Sequence, residues 1–106
     1  MTAPATTKAK VSDDVTIACM AVGNLPIDVT WLNGTRQMTD NSRVSITDNI
    51  ETEHYRVNST LVVKSLVLQD TKQYSCRVSN QFGSETKTFL IVAQRKKLLD
   101  FVNFTH

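Results

Sequence analysis

Few residues in this chain have the chemistry to bind a metal, react or be modified, and their spacing narrows the options. Its two cysteines are Cys19 and Cys76. They are too few for a zinc site, and His54 and His106 lie at no spacing that would complete one, so no metal is expected. Pairing with each other is the favoured reading. Closing so long a loop would stabilise a small domain by roughly 4 kcal/mol in the chain-entropy model. Such bonds persist mainly outside the cytosol, and two buried thiols in a reducing compartment are the alternative.

Ser59 and Thr60 follow His54 closely, a nucleophile-and-base combination on paper. They belong to an alternating stretch in which successive side chains point to opposite faces, so they do not converge on one site. No Gly-rich phosphate loop occurs, and glycine is scarce. Neither a cofactor nor enzymatic activity is expected. Asn33-Gly34-Thr35, Asn58-Ser59-Thr60 and Asn103-Phe104-Thr105 fit the acceptor pattern for N-glycosylation, which operates on secreted chains. Asn33 is expected in an exposed turn and Asn58 on the outward side of a strand. The triplets favour an extracellular home, at the cell surface or secreted, over the alternative of plain polar residues in an intracellular filament protein.

The elements that hold these residues read as strands. VTIACMA alternates Val15, Ile17, Cys19 and Ala21 on one face with Thr16, Ala18 and Met20 on the other. DVTWLNG repeats the pattern with Val29 and Trp31 and ends in an Asn-Gly turn signal. RVSIT supplies Val44 and Ile46; YRVNSTLVV places Val57, Ser59, Leu61 and Val63 inward; QYSCRVS does so with Tyr74, Cys76 and Val78; GSETKTFLIVA gives a last strand. Up to residue 93 no extended, capped helical stripe interrupts them. Short strands at such intervals within 106 residues predict one all-β domain, a sandwich of two antiparallel sheets. A formal net charge of +2 gives little reason to expect nucleic acid as a partner. No apolar run approaches the roughly 18 residues of a membrane span. The first residues lack the apolar core of a secretory signal, so this segment is expected to be soluble.

Cys19, Trp31 twelve positions on, and Tyr74-Ser75-Cys76 resemble the immunoglobulin fold. Leu61-x-Val63-x-x-Leu66, Asp70-x-x-x-Tyr74-x-Cys76 and Cys76-x-Val78-x-Asn80-x-x-Gly83 are similar to its I-set form, common in receptors, adhesion proteins and muscle filament proteins. The resemblance implies an inter-sheet disulfide between Cys19 and Cys76, with Trp31, Tyr74, Leu61 and Val63 in the core. It also implies a Tyr74 hydroxyl bonded to backbone, an Arg43–Asp70 salt bridge at one end of the sandwich, and a hairpin bracketed by Asn80 and Gly83. Lys72 stands where the family usually has a small residue, on the turn before Tyr74, and Asp13-Asp14 replaces a frequent Gly. An immunoglobulin-like domain is expected over residues 1–93, followed by a tail or linker over 94–106.

Parity also identifies a candidate binding face. With Trp31 and Cys76 inward, Leu32, Leu90 and Val92 point outward on one sheet as an apolar strip bordered by Arg77. That face serves partner binding in related domains, although a neighbouring domain or the tail covering it is the alternative. In the tail, Arg95, Lys96 and Lys97 form a basic run able to meet heparan sulfate, and Leu98, Phe101 and Val102 fit a short helical stripe. The reading is a noncatalytic extracellular module of a receptor or adhesion protein, working by protein recognition, homophilic or heterophilic, or by spacing its neighbours. The alternatives are an intracellular structural module of a filament or scaffold protein, and a secreted growth-factor or ligand-binding domain.

Overall fold

The computed structural model describes residues 5–96. Its strands are β1 (Ala5–Lys10), β2 (Val15–Val22), β3 (Asp28–Asn33), β4 (Arg36–Gln37), β5 (Val44–Glu51), β6 (Arg56–Val63), β7 (Lys72–Asn80) and β8 (Gly83–Gln94). Single 3-10 turns at Thr52–His54 and Leu68–Asp70 are the helical elements of this region. The strands form a larger sheet ordered β1-β8-β7-β3-β4 and a smaller one ordered β2-β6-β5. All pairings are antiparallel except that of β1 with β8, which is parallel.

Alternation explains why the two sheets stack. In β6 every second residue, from Val57 through Ser59 and Leu61 to Val63, is buried, and β2 buries Val15, Ile17 and Cys19 against it. From the larger sheet Trp31, Tyr74, Cys76 and Ile91 face them. The inter-sheet disulfide joins Cys19 to Cys76 through the middle of this core. Trp31, 1% exposed, stacks at a tilt on Phe89 with ring centroids 5.7 Å apart.

A buried indole N–H needs an acceptor, and an all-apolar opposite sheet would not supply one. Here Trp31 Nε1 donates to Ser59 Oγ at 2.8 Å, and the Ser59 hydroxyl donates in turn to Asp48 Oδ1 at 2.6 Å. Ser59 is fully buried, whereas Asp48 lies on the exposed part of β5. The one polar residue on the inward side of β6 thus passes the indole's hydrogen bond out to a carboxylate at the sheet edge.

Several local expectations shift. Residues 5–10, with no apolar alternation, form the edge strand β1, and β5 continues beyond the expected RVSIT to Glu51. Asn33 closes β3 and is half-buried; the turn is made by Gly34 and Thr35, with Gly34 at φ +64°. Lys72 opens β7 opposite Ile91 instead of sitting on the preceding turn, because pairing to β8 begins there. Asp14 Oδ1 accepts the Ser65 backbone N–H at 2.9 Å, so the acidic pair braces the turn into β2 against the loop after β6.

Trp31→Ala should lower stability by roughly 3 to 5 kcal/mol in denaturant unfolding. Ser59→Ala, which deprives the indole of its acceptor, should cost about 1 to 3 kcal/mol. A loss well below the first range would remove Trp31 from the centre of the core.

Candidate functional site

Two groups of side chains outside the apolar core have defined geometry: a polar brace at one end of the sandwich and the outer face of the larger sheet. The brace centres on Asp70, on the 3-10 turn before β7. Arg43 Nη2 donates to Asp70 Oδ2 at 2.6 Å and Nη1 to Oδ1 at 3.4 Å, and Nη2 also reaches the carbonyls of Lys64 and Ser65. The Val67 backbone N–H donates to Asp70 Oδ2 at 2.8 Å. Tyr74 Oη donates to the Asp70 carbonyl at 2.8 Å. The carboxylate is nearly buried while the guanidinium is 43% exposed, so the pair is anchored from the acid's side. Its hydrogen bond to Asp70 raises the Arg43 pKa above its ordinary value. Burial, reinforced by the Asp70 charge, pushes the Tyr74 hydroxyl up to about 12.

These groups leave no reactive pair. Ser59 is committed to Trp31 and Asp48, and His54 lies exposed on the turn between β5 and β6. Among the described residues no cluster of three or more His, Cys, Asp or Glu could hold a metal.

On the outer face of the larger sheet, cross-strand pairing sets the neighbours. Leu32 lies beside Ser75, which lies beside Thr88; Gln73, Leu90 and Thr6 form the next row. Val92 pairs with Lys8, and Arg77 stands between Thr30 and Thr86. Leu90 and Val92 therefore adjoin along β8, whereas β7 separates Leu32 from them. The expected continuous strip is in fact a Leu90–Val92 pair and an isolated Leu32, all half-buried, with Arg77 exposed.

More exposed apolar side chains lie elsewhere. Met20, Val22 and Phe82, the last 74% exposed, line a groove of about 410 Å³ with Ile27, Glu85 and Lys87 at the β7–β8 hairpin end. There Asn80 bridges two loops, accepting the Phe82 backbone N–H and donating to the Asn24 carbonyl, and Lys87 Nζ donates to the Met20 carbonyl at 2.7 Å. The outward parity of Met20 and the Phe in Asn80-Gln81-Phe82-Gly83 were the sequence signals for this groove, and neither carries a motif. At the opposite end Arg95 and Lys96 border a shallow recess with Val67 and Leu68. Asn58 is half-buried on the outer side of β6, beside Met20 and Asn49. Lys97, Asn103 and the apolar tail residues lie outside the described residues.

A sandwich of this strand order, with a disulfide between its sheets, a core Trp and a Tyr hydroxyl on the preceding backbone, agrees with a family comparison. The immunoglobulin I-set domain model matches residues 1–92. The chain belongs to the immunoglobulin I-set family. It is 33% identical over 75 residues to human leucine-rich repeats and immunoglobulin-like domains protein 1, a match covering 71% of this chain and 6% of the relative. Over 98 residues it is 30% identical to mouse fibroblast growth factor receptor-like 1, covering 91% and 17%. The chain thus spans less than a fifth of either relative. Among solved structures, the I-band fragment I67-I69 from titin aligns with a TM-score of 0.74 at 21% identity, over 86% of this chain and 30% of that one, and shows the shared fold.

Two measurements follow from this geometry. Because the folded-state pKa of Tyr74 is raised, its contribution to stability should be complete below pH 10 and decline as pH climbs from about 10 towards about 12, where the folded chain also ionises. Unfolding series across that window, with Tyr74→Phe lacking the decline, check it. Leu90→Glu should still fold, losing no more than about 2 kcal/mol, since its half-buried side chain lies on the outer face of the sheet and not in the core. A spectrum of an unfolded chain for that variant would mean the strand parity is inverted.

Proposed function

We propose that this I-set domain is a noncatalytic, extracellular recognition module of a receptor or adhesion protein. The observation that carries the reading is the Cys19–Cys76 disulfide between the sheets, because such bonds persist in oxidising compartments and are rare in the cytosol. The sequons at Asn33 and Asn58 point the same way, as does the kinship to a protein named as fibroblast growth factor receptor-like. Recognition falls to a sheet face, with Leu90, Val92 and Arg77 its main features and Leu32 a separate contact. Heparan sulfate takes no part in this reading: Arg95 and Lys96 border a recess at the end of the sandwich, away from that face.

The test is a peptide map of the protein recovered from its native source, before and after reduction and glycan removal. The expected result is a Cys19–Cys76 cross-linked peptide and glycan on Asn58, Asn33 or both. Free thiols together with unmodified asparagines would overturn the reading in favour of an intracellular structural module.

A further inference from the structure

The outer faces of the two sheets differ in charge in a way that selects a partner. On the smaller sheet the outward positions of β2, β6 and β5 hold Thr16, Ala18, Met20 and Val22, then Arg56, Asn58, Thr60 and Val62, then Ser45, Thr47, Asn49 and Glu51. Their charges cancel, because Arg56 Nε is ion-paired with Glu51 Oε2. Asn58, the acceptor residue of a sequon, sits on the central strand of that face. On the larger sheet the outward charged residues are Lys8, Lys10 and Arg77 against a single acid, Asp28, the diagonal cross-strand neighbour of Arg77. Arg77 and Lys8 stand on opposite sides of β8, level with Thr86 and Val92 respectively, so Thr88 and Leu90 occupy the stretch between them and Val92 lies directly beside Lys8. Six positions of strand at about 3.3 Å each put the two cations about 20 Å apart along β8.

That spacing decides among occupants. A sulfated polysaccharide needs its cations gathered, and here Arg77 is set apart from Lys8 and Lys10 by Thr88 and Leu90. A second copy of this chain would oppose like charges across most of the face, which is destabilising at an interface. A protein surface with an apolar centre and carboxylates at its margin satisfies both parts.

We propose that the outer face of the larger sheet docks a different protein through an acid-rimmed apolar surface, with Leu90 and Val92 at the apolar centre and Lys8 and Arg77 as the charge anchors. The inference rests on the recognition reading of this face and specifies its partner class as heterophilic and acidic. Asn58 lies on the opposite sheet, whereas Asn33 ends β3 on the docking sheet with β7 between it and β8, so a glycan there would border the face and not cover its Leu90–Val92 centre.

The probe is a designed, disulfide-cyclised β-hairpin peptide presenting Leu and Val between Glu residues, titrated into the isotopically labelled chain and followed by backbone amide shifts. A twin with Lys in place of each Glu, and a heparin oligosaccharide, are titrated in parallel. The expected result is movement of amides in residues 73–77 and 86–92 with the acidic hairpin, weakening as salt is raised. Its affinity should fall by at least about tenfold in Arg77→Glu and in Lys8→Glu, whose exposed positions leave the fold intact. Sedimentation of the chain alone should show a monomer. Equal binding of the Lys twin, tighter binding of heparin at the same amides, or a self-associating chain whose dimer is abolished by Arg77→Glu would each overturn the proposal. A native protein with its disulfide and glycans in place whose face ignores the acidic hairpin would also overturn it, while leaving the extracellular recognition reading standing.

Discussion

The buried hydrogen bond from the Trp31 indole to Ser59 ties the two sheets together across the core. A two-layer sandwich this small needs one large side chain to fill the gap around its disulfide, and Trp31 does so from the larger sheet. Its N–H then points at the smaller sheet, where an aliphatic residue would leave it unpaired at a cost of about 1 to 3 kcal/mol. Ser59 is the accommodation, and it fixes register: a slip of β6 by one residue would offer Asn58 or Thr60 from the wrong face and expose Leu61 and Val63. Because Ser59 donates onward to Asp48, the register of β5 is tied to the same chain of bonds.

The brace at the other level works by a different logic. Asp70 is held by a guanidinium, a backbone N–H and, through its own carbonyl, a tyrosine hydroxyl. These contacts join the approach to β5, the loop after β6 and the start of β7. The sandwich is thereby closed at one end by charge and hydrogen bonds, while the hairpin end stays open and apolar around Met20, Val22 and Phe82.

Much of this was legible in the sequence because burial imposes a period of two. The inward sets of β6 and β7 could be read residue by residue from that period. In contrast β2, with Met20 and Val22 outward, and β8, with the unbroken apolar run from Phe89 to Ala93, needed their parity anchored by Cys19 and by the pairing of β8 with β7. What escaped was governed by backbone pairing. ATTKAK, with Thr7 and Ala9 its only half-buried residues, forms β1 through a hydrogen-bond ladder that leaves no hydrophobic signature. The outer half of β5, Thr47 to Ile50, is exposed and extended for the same reason. On the candidate face, parity placed Leu32, Leu90 and Val92 outward. It gave no strand order, and the interposition of β7 that separates Leu32 from the other two was invisible to it. The charge difference between the sheets also needed the structure, because β1 contributes Lys8 to a face that the sequence could not assign it to.

The parallel pairing of β1 with β8 carries a mechanical consequence. A pull applied upstream of β1 and downstream of β8 draws these adjacent strands in opposite directions along their common axis. The register from Ala5–Phe89 to Lys10–Gln94 is then loaded in shear, with its hydrogen bonds bearing the load together and not opening one after another as in a peeled hairpin. Within this ladder, and before force reaches the disulfide-linked core, the domain transmits tension from one end to the other as a stiff link.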